Sequence, residues 1–265
     1  MSTLYKLKYK SKFCGNQMST ILMSAMFLLL FLFLFFLIPS KAFASTINKP
    51  LYILSWETGL VGWWTMDGPD TISNITDRST TGNNGSLSGQ SATTTAPGKI
   101  GQALLFDGSD DFVNMGTSAT YATSNMTVSF WARSNVAPAN PDGLMGKTNL
   151  DTWSQGWGFF FQSATEVRFF IEGYNTNFAK KTSIAPTNWT HYVGTWDGAT
   201  VQVYVNGVAG TSDAYAGAIT TTNPFEIGRL GTNTYNHNGQ IDDVRFYSRA
   251  LSASEVLALY NLSSK

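Results

Sequence analysis

Residues able to act as nucleophiles, bases or thiolate ligands are few in this 265-residue chain. His191 and His237 are the only histidines, and Cys14, ahead of a long apolar run, is the only cysteine. No Gly-x-Ser-x-Gly segment exists to form a nucleophile elbow, so the sequence lacks a serine hydrolase signature. We interpret His191 as a packed strand residue, whereas His237 lies in a turn-rich stretch and is a candidate for ligand contact.

Aromatic residues in loops are the more informative group. Sugars are held when aromatic rings stack on their C–H faces and polar groups on loops above a rigid scaffold bind the hydroxyls. Residues of this kind are Trp153, Tyr174 and Tyr235, with Arg229 nearby. For Trp153 the alternative is an aromatic that closes one end of the fold without touching ligand. Aromatic residues within predicted strands are interpreted as core: Trp63, Trp131, Phe160, Trp189 and Trp196.

A third chemically capable segment is Asp107-Gly108-Ser109-Asp110-Asp111. Its three carboxylates are suited to a cation, yet the same residues are typical of a solvated turn between two strands. We interpret the segment as a turn.

These groups must be positioned by short elements, because apolar and aromatic runs alternate with clusters of Gly, Asn, Asp, Ser and Thr. With no helical pattern between the runs, the sequence predicts an all-β fold, a two-sheet antiparallel jelly-roll sandwich. The clearest hairpin spans residues 190–205, where Asp197-Gly198 provides the tight turn. The predicted strands cover residues 60–66, 102–106, 112–115, 126–133, 158–162, 167–172, 190–196, 201–205, 224–228 and 240–247.

One short C-terminal helix is predicted over residues 252–260. Ser252 is placed to cap its first turn, and Glu255 three residues later completes a capping box. Its apolar face predicts a lid packed on a sheet edge rather than a helix that binds a partner.

The first 44 residues carry an export pattern. Four lysines precede a run of Leu, Phe, Met and Ile at residues 21–38, then Pro39, and Ala42-Phe43-Ala44 has the small-x-small pattern of a cleavage site. We predict a signal peptide at 1–44, a short polar lead at 45–58, one domain at 59–262, and a secreted or cell-surface protein. The alternative is an uncleaved membrane anchor, because 18 apolar residues can just span a bilayer.

The net charge of the chain after residue 44 limits the classes of binding partner. Five of the 17 basic residues precede Ser45 and no acidic residue does, which leaves 12 basic and 17 acidic residues and a net charge of −5. A mildly acidic domain without a basic stripe lacks the footprint that phosphate backbones require, so nucleic acid is excluded as the expected partner.

Several motifs resemble, in order, the laminin-G-like domains of the concanavalin A-like lectin and glucanase superfamily over nearly all of residues 59–262. They are Gly62-Trp63-Trp64-Thr65-Met66-Asp67, Asp77-Arg78-Ser79, Gly101-Gln102-Ala103-Leu104-Leu105-Phe106-Asp107-Gly108, Trp189-Thr190-His191-Tyr192-Val193, Val203-Tyr204-Val205-Asn206-Gly207, Gly239-Gln240-Ile241-Asp242-Asp243-Val244-Arg245-Phe246-Tyr247 and Arg249-Ala250-Leu251-Ser252.

The resemblance implies a jelly roll used mainly to bind glycans or proteins at cell surfaces, although the superfamily also contains glucanases. Those enzymes carry a Glu-x-Asp-x-x-Glu motif, and none of the five glutamates here has an Asp two residues on. We therefore predict a module that binds a glycan or a surface glycoprotein and is not an enzyme. Two alternatives stay open: a polysaccharide-cleaving glycoside hydrolase with a cryptic carboxylate pair, and a structural adhesion module that binds no sugar.

The resemblance also implies calcium, because in many such domains the turn after the first strand approaches the last long strand around this ion. Asp77, Asn84 and Asp242 are the predicted ligands, since calcium prefers carboxylate and amide oxygens. Positions 80 and 81, often Gly and Asn in the family, are both Thr here. The alternative is that Asp77 and Asn84 make only turn hydrogen bonds.

Overall fold

A computed structural model describes residues 57–72, 74–89, 95–138, 141–149, 152–231 and 235–263. The predicted signal peptide, its cleavage site and residues 45–56 of the polar lead lie outside these ranges. Among the described residues, no helix is long and apolar enough to cross a membrane.

The described chain is built almost wholly from strands. They are β1 (Leu60–Trp64), β2 (Ser86–Ser88), β3 (Thr95–Pro97), β4 (Gln102–Asp107), β5 (Phe112–Asn114), β6 (Met126–Ser134), β7 (Asp142–Thr148), β8 (Gly156–Ser163), β9 (Glu166–Ile171), β10 (Phe178–Thr182), β11 (Thr190–Trp196), β12 (Thr200–Val205), β13 (Val208–Ala214), β14 (Glu226–Ile227), β15 (Arg229–Leu230), β16 (Tyr235–Asn236) and β17 (Asn238–Tyr247). One α-helix, α1 (Ala253–Ser263), follows β17, and single 3-10 turns occur at Gly68–Asp70 and Ala119–Tyr121.

The strands form two antiparallel sheets, as predicted for a jelly-roll sandwich. The eight-stranded sheet has the order β13-β12-β11-β6-β17-β4-β3, and the seven-stranded sheet has the order β10-β9-β8-β7-β14-β5-β2. In the first sheet β17 pairs with β6 along one side, while β4 and β1 share its other side. A separate two-stranded ribbon, β15-β16, lies outside both sheets.

The main core lies between the sheets and is rich in aromatic rings. Because alternate residues of a strand point to opposite faces, Phe159 and Phe161 of β8 face Phe130 of β6 and Tyr192 of β11 across this layer. Edge-to-face ring pairs of this kind stabilise the core beyond the burial of their area.

The predicted hairpin at 190–205 is confirmed by the pairing of β11 with β12. Asp197 Oδ1 accepts the N–H groups of Ala199 and Thr200, and Gly198 adopts φ +91°. Positive φ at this turn is what glycine permits at low cost.

The C-terminal helix is confirmed, but its predicted position on a sheet edge is wrong. It covers the outer face of the eight-stranded sheet, where Val256 and Leu259 pack with Val193 and Tyr247. Trp131 is also buried beneath it and donates its indole N–H to Ser263 Oγ at 3.0 Å. The strands below the helix offer outward-pointing apolar side chains, so the face, not the edge, provides the area that the helix buries.

The predicted capping box is also confirmed, since the Ser252 N–H donates to Glu255 Oε2 at 2.9 Å and Ser252 Oγ accepts the Glu255 N–H at 3.4 Å. Glu255 forms a two-pronged ion pair with Arg249, with N···O distances of 3.0 and 2.8 Å. Its hydrogen bonds with the Arg249 guanidinium hold the pKa of the Glu255 carboxyl down to about 2.

The Glu255→Gln substitution should lower the unfolding free energy by about 1–3 kcal/mol at pH 7, measured by chemical denaturation. A carboxyl whose pKa is lowered by folding stabilises the folded state at pH values above its unfolded pKa, and this stabilisation is lost as the pH falls. The unfolding free energies of wild type and variant should therefore converge between pH 4.5 and 2. A difference that is unchanged at pH 2 would assign the stabilisation to neutral hydrogen bonds instead.

Candidate functional site

The outer face of the seven-stranded sheet carries an aromatic patch. Trp153, Phe160, Phe170 and Leu230 form its buried base, and three half-buried rings pack around them: Tyr174, Phe178 and Tyr235. Phe160 and Phe170 point away from the core because their neighbours Phe159 and Phe169 point into it. Within the described residues this is the apolar cluster that lies outside the sandwich on the face opposite the helix.

Bare backbone in the sheet lets the β15-β16 ribbon lie directly on it. A Cβ at Gly146 or Gly158 would come within 2.5 and 3.0 Å of Leu230 Cδ2, and one at Gly143 within 2.5 Å of the Leu230 nitrogen. Real Cβ atoms essentially never approach closer than 3.0 Å and rarely come that close, so these glycines make room for the ribbon. The ribbon in turn brings Tyr235 onto the patch.

Three of the four residues predicted to bind ligand meet in this patch. The Trp153 ring lies 4.5 Å from the Tyr235 ring and 5.3 Å from the Tyr174 ring, both in edge-to-face geometry. The Tyr174 N–H also donates to the Trp153 carbonyl at 3.2 Å. Residues far apart in the sequence therefore converge on one surface.

The role predicted for Trp153 needs correction. Its side chain is only 2% exposed, so it has no free face on which a sugar could stack. Tyr174 and Tyr235 are only half-buried, so they are more accessible than Trp153. Trp153 is the support beneath them, as in the alternative interpretation of a ring that packs without touching ligand.

Polar groups lie beside the rings. Arg168 lies over Phe178, with its guanidinium carbon 4.4 Å from the ring centre, and its Nε donates to Glu166 at 2.7 Å. Lys180 reaches the other oxygen of Glu166 at 3.5 Å. This edge of the patch therefore offers charged donors and acceptors of the kind that bind sugar hydroxyls.

Arg229 is placed apart from the three aromatic candidates. It forms a bidentate pair with Glu226, with N···O distances of 2.9 and 2.7 Å, and lies over the ring of Phe112. Together with Thr148 and Asn223 this pair lines a cavity of about 90 Å³ next to the ribbon. A cavity of that size accommodates a few waters or one small polar group.

Trp189 lines a groove that the sequence does not predict. The sequence pattern predicts a core strand position for Trp189, but β11 begins one residue later and Trp189 is half-buried. The groove measures about 400 Å³ and is also lined by Lys181, Asn188 and Asn206. An aromatic ring beside two amides matches the chemistry of sugar recognition, so Trp189 is a second candidate position.

Two of the predicted calcium ligands, Asp77 and Asn84, lie in one loop. The Asp77 carboxylate accepts the backbone N–H groups of Trp63, Ser79 and Asn83, each at 2.8–2.9 Å, and Asn84 Oδ1 accepts the Asp77 N–H at 2.8 Å. This is the turn-organising role of the alternative interpretation. The backbone bonds hold the pKa of Asp77 below its usual value against the opposing effect of burial.

The third predicted ligand, Asp242, contacts a different segment. It is fully buried on β17, and its Oδ2 accepts the Ile100 N–H at 2.8 Å. Burial raises the pKa of its carboxyl from 3.8 to about 7, opposed by the Ile100 N–H and reinforced by Asp243. Calcium at Asp77, Asn84 and Asp242 stays a prediction.

The acidic turn, which runs from Asp107 at the end of β4 to Asp111 just before β5, groups Asp107, Asp110 and Asp111. One carboxylate oxygen from each lies within 4.8 Å of the others, and in the described part of the chain no other three acidic, histidine or cysteine side chains converge in this way. Asp107 is exposed and Asp110 half-buried, but Asp111 is only 4% exposed.

Both histidines are buried. His191 lies beneath the helix with its Nε2 2.9 Å from Ser129 Oγ, and burial lowers the pKa of His191 to about 3. His237 is fully buried and its Nδ1 lies 2.8 Å from Asp142 Oδ1. Burial removes both rings from direct contact with a ligand and corrects the possibility considered for His237.

Residues 107–257 match the laminin-G-type profile of the concanavalin A-like lectin/glucanases superfamily. The match covers more than half of the chain, so the protein belongs to this superfamily.

Similarity is also found to a longer protein and to several solved structures. Pappalysin-1 of Mus musculus is 24% identical over 181 residues, which cover 61% of this chain and 11% of that protein. This chain thus corresponds to a small part of that relative.

Domain 4 of AbnA, an extracellular arabinanase of Geobacillus stearothermophilus solved with arabinotriose, superposes with a TM-score of 0.61 at 20% identity, covering 76% of this chain and 98% of that one. A botulinum neurotoxin type C structure, described in connection with two ganglioside molecules, gives 0.63 at 13% identity, covering 80% and 53%. The binding domain of Paraclostridial Mosquitocidal Protein 1 gives 0.61 at 18%, covering 77% and 52%. At these low sequence identities, the structural similarity establishes the fold alone.

Proposed function

We propose that this protein is a secreted or cell-surface carbohydrate-binding module, and that Tyr174 and Tyr235 on the aromatic patch stack against the sugar. The convergence of these rings on the buried Trp153 carries the proposal. A rigid base holds the two accessible rings in place, so little conformational entropy is lost when a ligand binds.

Similar structures support the same class of ligand, because one is a domain in complex with arabinotriose and another concerns gangliosides. The N-terminal export pattern supports the location outside the cell. The absence of Glu-x-Asp-x-x-Glu and the burial of both histidines favour binding over hydrolysis.

Alanine at Tyr174 or Tyr235 should weaken glycan binding at least tenfold, about 1.4 kcal/mol, while the unfolding free energy changes by about 1 kcal/mol. A glycan array would select the ligand, with arabinotriose and ganglioside oligosaccharides as the first probes. Calorimetric titration of wild type and variants then gives the affinities.

Trp189→Ala is the matched control, since it removes a half-buried aromatic from the other candidate position. Loss of affinity in Trp189→Ala with full binding by both tyrosine variants would move the site to the groove at Trp189. An array with no binding at all would favour the structural adhesion module. Release of new reducing ends from a bound polysaccharide would instead favour the hydrolase.

A further inference from the structure

Two adjoining grooves open where the edges of the two sheets meet. β10 and β13 are edge strands of different sheets, and Thr211 bridges them, since its Oγ1 accepts the Lys180 N–H at 2.9 Å and donates to the Lys180 carbonyl at 3.2 Å. A groove of about 240 Å³ lies between these strands. It shares Lys181 and Thr182 with the larger groove at Trp189, and together they form one edge groove.

The edge groove is electropositive. In the described part of the chain no acidic residue lines it. Lys181 lines both of its parts, and the Lys181 Nζ donates to the Ala209 carbonyl at 3.0 Å, so among the described residues no carboxylate neutralises this charge. Lys180 differs, because Glu166 Oε2 lies 3.5 Å from its Nζ. After residue 44 the chain carries 12 basic and 17 acidic residues, so an acid-free groove with an unneutralised lysine is a local exception that favours an anion.

A second cation lies against Trp189. The Arg133 guanidinium carbon is 5.4 Å from the centre of the Trp189 ring. Its Nε donates to Gln240 Oε1 at 2.7 Å, which is a neutral partner. Lys181 and Arg133 therefore both keep their charge beside the same groove.

The uncharged groups of the lining are suited to hydroxyls. Asn206 Oδ1 accepts the His191 backbone N–H at 2.9 Å, which leaves the NH2 group of Asn206 to donate elsewhere. Asn188 is exposed and adds a second amide. Ser183, also in the lining, has φ +59°, a left-handed conformation that is uncommon for serine and costs free energy. Strain of this kind is concentrated at binding sites.

These groups together favour an acidic sugar among the possible anions. Lysine and arginine form strong charge-assisted hydrogen bonds with a carboxylate or a sulfate. The half-buried Trp189 ring offers apolar surface to the C–H groups of a sugar, and the two amides offer partners to its hydroxyls. An acidic peptide would satisfy the charges but has no pyranose face for the ring.

We propose that the edge groove binds a negatively charged saccharide unit, one that carries a carboxylate or a sulfate group. Lys181 and Arg133 bind the anionic group, and Trp189 with Asn188 and Asn206 binds the sugar ring. This site shares no residue with the aromatic patch and does not depend on sugar binding there.

The first test is calorimetric titration with tetragalacturonate and with its methyl ester, which has the same length and no charge. The acid should bind about tenfold or more tightly than the ester, because the ester loses hydrogen bonds between charged groups. A sulfated carrageenan tetrasaccharide distinguishes the two anions, since the tighter of the two acidic ligands identifies the group that the site prefers. The affinity should fall as salt is added, because salt screens exposed charges.

Lys181→Gln keeps the length of the side chain and removes its charge, so it should lower the affinity for the preferred acidic tetrasaccharide about tenfold. Trp189→Ala should lower it as well, and Lys181→Gln keeps the test decisive if thermal melts show that Trp189→Ala folds poorly. Lys99→Gln is the matched control, because it changes the net charge equally outside the lining of the groove. It should bind as tightly as wild type.

Wild type that binds neither acidic tetrasaccharide more tightly than the ester would overturn the proposal, as would full binding of the preferred one by Lys181→Gln. Tetraglutamate that binds as tightly as the sugars would assign the groove to acidic peptides instead. Failure here is distinguishable from failure of the aromatic patch. A neutral glycan bound at the patch should bind Lys181→Gln normally and Tyr174→Ala weakly.

Discussion

Trp153→Ala should lower the unfolding free energy by about 3–5 kcal/mol, the usual cost of truncating a buried tryptophan. The ring is 2% exposed and packs against Phe160 at 5.1 Å as well as against the two tyrosines. Its removal leaves a cavity under the patch that rigid strands cannot close. Chemical denaturation of wild type and variant measures the difference.

Tyr174→Ala is the control on the same patch, because its ring is half-buried and its loss should cost only about 1 kcal/mol. Both variants should bind glycan weakly, but for different reasons: one removes the contact, and the other removes its support. A Trp153→Ala protein as stable as Tyr174→Ala would mean that Trp153 is an exposed platform after all.

Asp242→Asn should raise the unfolding free energy by about 2–4 kcal/mol at pH 8 when measured with chelator present. Because the pKa of buried Asp242 is raised to about 7, the folded chain keeps a proton that the unfolded chain loses near pH 4. Between about pH 4 and pH 7 the unfolding free energy of wild type therefore falls by about 1.4 kcal/mol for each pH unit, and above pH 7 it is constant. The neutral amide does not titrate, so the variant lacks this loss.

Measuring the unfolding free energies of wild type and Asp242→Asn across pH separates the effect of the carboxylate charge from the effect of the side-chain shape. At pH 4 wild type and Asp242→Asn should be nearly equal, since the acid is then protonated and both side chains are neutral. Equal stabilities at pH 8 would show that the carboxylate is ionised at no cost. Calcium that stabilises wild type but not Asp242→Asn would support the site implied by the family resemblance.

Both sheets of the sandwich and the hairpin at 190–205 could be predicted because local physics determines them. Strands such as β6 and β11 are long and apolar, and Asp197-Gly198 has few alternatives to a tight turn. The capping box of the helix is similarly local. The strands missed in the sequence either lie at sheet edges, as β10 and β13 do, or contain glycine, as β7 does.

The class of fold, the aromatic character of the candidate site and the export pattern all follow from the amino-acid sequence alone. Which aromatic side chains are accessible depends instead on tertiary packing. The sequence pattern places both Trp153 and Tyr235 in loops, yet Trp153 is buried. The absence of side chains at Gly146 and Gly158 lets the β15-β16 ribbon pack directly on the sheet beside it. Tertiary packing also determines the environment of the acidic turn. Its sequence predicts a solvated loop, but in the fold Asn236 of β16 contacts the turn and Asp111 is buried. Burial depends on what packs from elsewhere in the chain, and no local pattern encodes it.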